Sequence, residues 1–539
     1  MNRPTTRVKA FVEDYQVTEV PEKHPSMFEP ATLIFGAALG VLGIVIGLEL
    51  LTRVGITPST SIIGAIIAIV VSRIPVSVCR RFKSLDRQNL LQTVISSATF
   101  GGANAILLPT GVVWLYGRTD LIPAILTGSV LGMIIDGTIL YRVFDSKIYP
   151  ARGIWPPGVA TAECLIAGDR GGKRGRLLAA GAILGGIGRF LGFPMDVFGV
   201  CWIGNIWALS MFGIGLLVTG YSSRLIGVDI NKLYVPHGVM VGAGFVALIQ
   251  IIVLVARKET GAAGETSCTI SPMRFGQTLA GGFLAFMIAS AVMATLAGLY
   301  AQMSAARLMG FVLFAAVAAL AAELIVGISA MHAGWFPAFA TALVFLVLGM
   351  IMGFPPLPLA FLVGFTASAG PAFADMGYDL KTGWILRGSG KYPGFEKQGR
   401  RQQYFAGLLG FAIGALVVVC FHQHYFMKDL FPPVDRVFVA TIRAGTNPAV
   451  AKYLLVWAIP GAAVQLLGGP SRQTGILFAT GMLINNPVAG LTALASLLSR
   501  ILLLKRYGRS VESPMYVLAG GFIAGAALLS FGTATVKLK

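Results

Sequence analysis

A short set of ionisable side chains stands within or against long apolar runs: Glu49, Asp136, Glu163, Arg189, Asp196, Glu323, Asp375, Asp379 and Lys381. In a hydrocarbon layer each such charge costs about 2.5–3.5 kcal/mol on insertion scales, so these residues mark proton, ion or substrate paths. Glu49 and Asp196 fall near the ends of their runs, where a charge reaches water, whereas Asp136 and Glu323 fall deeper.

Asp375 and Asp379 are four apart, so a helix puts both carboxylates on one face. Two carboxylates held together can keep one proton between them, which is what a proton-driven carrier loads and releases. Lys381 is expected at a solvated helix end on the cytoplasmic surface. Glu163 closes the segment Trp155-Pro156-Pro157-Gly158-Val159-Ala160-Thr161-Ala162-Glu163. There proline presets a half-helix whose first N–H groups and positive dipole end would face an anionic group. Two readings of Glu163 stay open, a titrating site residue and a packing residue paired with a nearby arginine.

Other chemistry is poorly supported. His237, His332, His422 and His424 make no cage of ligands, and Cys79, Cys164, Cys201, Cys268 and Cys420 form no Cys-x-x-Cys pair. Gly171-Gly172-Lys173 is followed by Arg174 where a phosphate-binding loop needs Ser or Thr. No His-Glu-x-x-His or Gly-x-Ser-x-Gly motif marks an intramembrane enzyme. No cofactor, metal or nucleic-acid partner is expected.

The elements that must position these residues are transmembrane helices. Of 539 residues, 55% are hydrophobic and 12% charged, and the mean hydropathy is +0.77. Disorder and soluble multidomain architectures are excluded. At about 20 apolar residues per span the chain accommodates about 14–16 helices, an all-α polytopic bundle. The net charge of +19 sits mainly in short loops at 73–87, 142–152, 170–176, 387–401 and 500–509, which the positive-inside rule assigns to the cytoplasm. Residues 1–30 read as a cytoplasmic N-terminal segment without a cleaved signal peptide, 31–534 as the membrane domain and 535–539 as a short tail. Glycine pairs at four-residue spacing, Gly36/Gly40, Gly43/Gly47, Gly181/Gly185, Gly188/Gly192, Gly410/Gly414 and Gly521/Gly525, suit close helix contacts.

Two runs do not fit a plain span. The 155–167 stretch is too short to cross and has Arg152 on one side and Arg170, Lys173, Arg174 and Arg176 on the other, so a re-entrant or broken helix is expected. The 353–386 run is too long and carries Pro355, Pro356, Pro358, Gly364, Gly370 and Pro371, so it is expected to fold back on itself. A broken element in each half fits an inverted-repeat transporter, with its site near both breaks.

The same two stretches carry a family resemblance. The aromatic-Pro-x-Gly-x-Ala-x-Ala pattern at 155–163 and Asp-x-x-x-Asp-Leu-Lys-Thr-Gly-Trp at 375–384 resemble motifs of the oligopeptide transporter family, which includes the yellow-stripe-like metal-chelate carriers. Arg400-Arg401-Gln402-Gln403, Asn89-Leu90-Leu91-Gln92-Thr93 and the 518–525 stretch resemble further family segments. The chain departs at Pro157, where members often carry Glu or Ser, and at Ala526, where an acid is common in bacterial members. The resemblance implies proton-coupled uptake of short peptides or peptide-like metal chelates through a multi-pass protein of a prokaryotic cytoplasmic membrane. Trp155, Pro156, Gly158, Thr161, Glu163 and Thr382 are then the candidate substrate residues. Glu163, Asp375, Asp379 and Asp136 are the proton-coupling candidates. An intramembrane enzyme and a channel are the alternatives, and no oligomeric state follows.

Overall fold

The computed structural model describes residues 23–54, 60–256, 268–444, 448–484 and 486–536; most of the expected N-terminal segment and the end of the 535–539 tail lie outside them. A backbone in lipid must satisfy its own polar groups, which favours helices. Among the described residues there is no strand, and nine helical stretches are long and apolar enough to cross a membrane, with five shorter apolar helices among them. The all-α polytopic bundle expected from composition is what forms.

The chain opens with α1 (Pro30–Val54), α2 (Thr60–Arg73) and α3 (Leu85–Phe100); a widened π turn at Gly101–Leu107 continues α3 into α4 (Leu108–Tyr116). Then come α5 (Ile122–Val143), α6 (Pro156–Arg170), α7 (Gly172–Phe190), the short α8 (Met195–Ile203), α9 (Ile206–Leu225), α10 (Val235–Ala256), α11 (Pro272–Leu296) and α12 (Ala305–Ala333). The second half continues with α13 (Ala338–Ile351), α14 (Pro356–Ser368), α15 (Pro371–Leu386), α16 (Pro393–Phe426), α17 (Pro433–Ala444) and α18 (Pro448–Gly468). It ends with α19 (Thr474–Ile484), α20 (Pro487–Tyr507) and α21 (Glu512–Val536).

Most of the glycine pairs lie at helix interfaces. A Cβ at Gly43 or Gly47 would run into Ile95 or Thr99 of α3, and one at Gly410 or Gly414 into the α3 and π-turn backbone. Gly181 and Gly185 of α7 interlock in the same way with the 518–525 stretch of α21. Gly192 differs, since its φ of +89° forms the turn after α7.

The 155–167 stretch is re-entrant. Arg142, Asp145 and Arg152 lie at one face of the protein together with Arg400. From there the chain dips inward until the buried Trp155 donates its N–H to Met331 O at 2.9 Å. α6 then runs out beside α2, and Arg73 at the end of α2 donates to Gly168 O and Asp169 O. Both ends of the segment therefore lie at the same face. That face also gathers the 73–87 and 387–401 loops, through the His24 N–H to Gln398 and the His24 approach to Asp86. The 170–176 loop joins it through Arg174 beside Glu163, and the 500–509 loop through the start of α21 that follows it, where Ser513 also meets Glu163. All five basic loops thus share one face, here called the basic face.

The 353–386 run does not fold back. α14 packs on α4, α5, α12 and α13, whereas α15 packs on α3, α5, α6 and α16, and the two do not lie along each other. Only Ala369 and Gly370 separate them, both buried. Gly370 takes a φ of +109°, and the Pro371 ring that follows sits in the first turn, where its missing N–H costs nothing. The freed backbone is satisfied by a side chain, since Gly370 N–H donates to Asp136 at 2.5 Å. A bend enclosed by protein replaces the surface loop that a hairpin needs.

Candidate functional site

Four interrupted elements meet at the centre: the start of α2, the start of α6, the end of α8 and the 334–337 break between α12 and α13. Thr60, Pro157, Ile203, Gly334, Asp375 and Tyr378 line the cavity they leave, of about 40 Å³. That volume holds a water or two and no peptide. Loading a larger molecule requires these helix ends to part, which helix breaks allow and a continuous core does not.

Asp375 reaches this cavity from α15, the element most completely enclosed by protein. Ser96 of α3 donates to Asp375 Oδ1 at 2.6 Å, with Thr60 at 3.3 Å. One turn on, Asp379 Oδ1 accepts from Ser61 at 2.9 Å and from Gln92. Ser61 and Ser96 touch each other at 3.0 Å. Asp379, Ser61, Ser96 and Asp375 thus form one chain of three contacts, for which the two serines supply only two hydrogens. One added proton, on the carboxyl at either end, completes it.

On the other side of Asp379 the sequence expectation for Lys381 fails. Its ammonium is fully buried, donates to Ala151 O at 2.8 Å and lies 4.3 Å from the Trp384 ring centre. The inward dip of 144–155 brings a loop carbonyl to it, so Lys381 has a protein partner instead of water. Trp384 also lines a much larger recess at the basic face, of about 870 Å³, together with Arg142, Arg152, Arg274, Lys397 and Arg400. That is the size of a small-molecule site. Both cavities border α15, the recess at Trp384 and the central cavity at Asp375 and Tyr378.

The α6 residues pack more than they line. Trp155 is held at φ +37° against Gly377, where a Cβ would strike its ring. Pro156 rests on Gly334, and Pro157 faces the cavity. Two of the first-turn donors expected to greet an anion are missing, because both residues are proline. Gly158 abuts Tyr378 O and accepts the Thr382 hydroxyl at 3.0 Å, while Thr161 donates to its own helix at Pro157 O. Glu163 does not line the cavity; six residues along α6 from Pro157, it lies 3.7 Å from Arg174 and accepts from Ser513 at 2.9 Å. Asp136 lies behind α15, on the Gly370 N–H.

Below Asp379 the site is tied to the basic face. Gln403 donates to Asp379 O and Thr93 and accepts from Arg387, whose guanidinium grips Glu396 at 2.7 Å while fully buried. Burial and the nearby Arg387 push the His24 imidazole down to about 3, so its 3.6 Å approach to Asp86 is not an ion pair. The uncharged partners Thr60, Ser61, Ser96 and Gln403 escaped sequence reasoning; Gln92 and Gln403 stand in family-like segments, which were the available signal.

Searches of curated proteins and of solved structures give no match. A family model does match, that of the OPT oligopeptide transporter protein, over residues 30–256 and 272–536. Both motifs, the hydroxyl chain and the helix breaks lie inside those limits. The protein is therefore a transporter and not an enzyme, a multi-pass membrane protein that belongs to the oligopeptide transporter family.

Proposed function

We propose that this chain is a proton-coupled carrier that imports short peptides, or metal chelates built from similar amino and carboxylate groups, across the cytoplasmic membrane. The observation behind this is the Asp379–Ser61–Ser96–Asp375 chain, one hydrogen short and ending in the central cavity. A proton enters it at one carboxyl and leaves at the other by turning two hydroxyls. A substrate ammonium in the cavity pairs with Asp375 and competes for that charge, which links substrate and proton binding. Trp155, Gly158 and Thr382 act by fixing α6 against α15, Pro156 by seating α6 on Gly334, and Thr161 by closing the first turns of α6 itself. The clustered basic loops support a cytoplasmic basic face, and the recess there serves as the exit.

Uptake into proteoliposomes under an imposed pH gradient, with peptides in one arm and metal chelates in the other, tests the reading. Accumulation above the outside concentration is expected only with the gradient. Mere equilibration, indifferent to pH, would identify a channel instead.

A further inference from the structure

A second pair of carboxyl groups is buried on the far side of α15 from the hydroxyl chain. Asp136 of α5 accepts the Gly370 N–H, and both the Phe373 N–H and the Glu323 carboxyl of α12 approach it. Glu323 is fully buried, and neither of its oxygens receives a hydrogen bond from any donor among the described residues. Asp136 Oδ1 likewise has none. Tyr149, the other titratable group beside the pair, spends its hydroxyl on Leu324 O. Arg142 of α5, Arg274 of α11 and Arg400 of α16 line the recess at the basic face. Arg307 of α12 lies beside Gly353, and α14 carries no ionisable residue. On α15 itself, Asp375 and Asp379 turn to α2 and α3, and Lys381 to Ala151.

Two carboxylates in contact, both charged and without a cation, repel; with one proton between them the same contact is a hydrogen bond. We propose that Asp136 and Glu323 form a second proton-binding site, outside the substrate cavity, whose single proton clamps α5, α12 and α15 together. The inference rests on the proton-coupled reading above. Its position gives the clamp two levers on the cavity. Asp136 holds the first turn of α15, which carries Asp375 and Tyr378, and α12 ends where Gly334, Trp335 and Phe336 form the cavity wall. With the proton bound the three helices stay together and the cavity is small. When the proton leaves, two adjacent anions push α12 from α5, and the wall at 334–336 moves away from α15.

The test is the proton-to-substrate ratio, from reversal potentials in proteoliposomes, for wild type and Glu323→Gln. A glutamine donates to Asp136 without a proton, so the ratio is expected to fall by one and transport to lose part of its pH dependence. An unchanged ratio, or a sodium requirement in place of the proton, overturns the inference while leaving proton coupling at Asp375 and Asp379 intact. Infrared difference spectra of detergent-solubilised protein between high and low pH give an independent readout. Wild type should show a protonated-carboxyl C=O band that Glu323→Gln and Asp136→Asn both lack. If that band is present but transport ignores the pH gradient, the proton-coupled reading fails and the shared proton stands as a structural feature; if the band persists in both variants, the site itself is wrong.

Discussion

Glu163 and Asp375 are both buried carboxylates in family-like segments, yet their surroundings differ in kind. Glu163 ends its helix turn at the basic face with a guanidinium and a serine hydroxyl as partners. Asp375, at the centre, meets only hydroxyls among the described residues. A carboxylate beside a cation is fixed in its charged form, while one held by hydroxyls, which both give and accept hydrogen, can exchange a proton with its neighbours. Sequence motifs rank the two alike; the partners separate them.

The largest expected effect strikes what the two regions share. Trp155 joins α6 to α15 through Gly377. Trp155→Ala should leave a cavity worth about 3–5 kcal/mol and lower the melting temperature in detergent while also abolishing uptake. Unchanged melting would mean that the two helices do not depend on this contact. Next comes Asp375→Asn, which removes the charged partner of a substrate ammonium, about 2–3 kcal/mol or a 30- to 150-fold loss of substrate affinity. Expression should hold, since a neutral residue inserts more readily. Wild-type affinity and pH profile in that variant would take Asp375 out of the mechanism.

A sharper cut is Ser96→Ala, which keeps both aspartates and removes the middle link between them. Proton-driven uptake should slow by about tenfold, the worth of one hydrogen bond to a charged group. The loss should fall on proton-driven accumulation more than on equilibrium substrate binding, which a calorimetric titration measures separately. Equal losses in both would reduce the serine chain to packing.

What the sequence made legible was charge. Asp136, Glu323, Asp375 and Asp379 stand out in apolar runs and are all fully buried in the bundle, and arginines flanking 155–167 foretold its return to the same face. Neutral partners were not legible, because a serine or threonine in a membrane helix costs little and is common there. Ser61 and Ser96 lie about 280–320 residues from the aspartates they serve. Lys381 was misplaced for a related reason: its partner is a backbone carbonyl of Ala151, which every residue possesses and no side chain announces. The 353–386 run misled because proline and glycine mark a break without saying whether the chain turns or bends. The Asp136 carboxylate waiting at Gly370 decided for a bend.

The smallest expected effect is the most discriminating. Glu163→Gln keeps size and leaves the Ser513 hydroxyl an acceptor, while the charge pairing with the partly exposed Arg174 is lost. Solvent screens that pair, which limits the cost to about 1 kcal/mol. Held by a cation and a hydroxyl, Glu163 is expected to stay charged and outside the proton chain. Its replacement should therefore lower thermal stability slightly and leave the pH profile of uptake where it was. Arg174→Gln should reproduce the same small loss, and the double variant should cost no more than either single one, because the two residues share one interaction. A displaced pH profile in Glu163→Gln, with stability intact, would return Glu163 to the proton path and erase the distinction drawn between the two carboxylates.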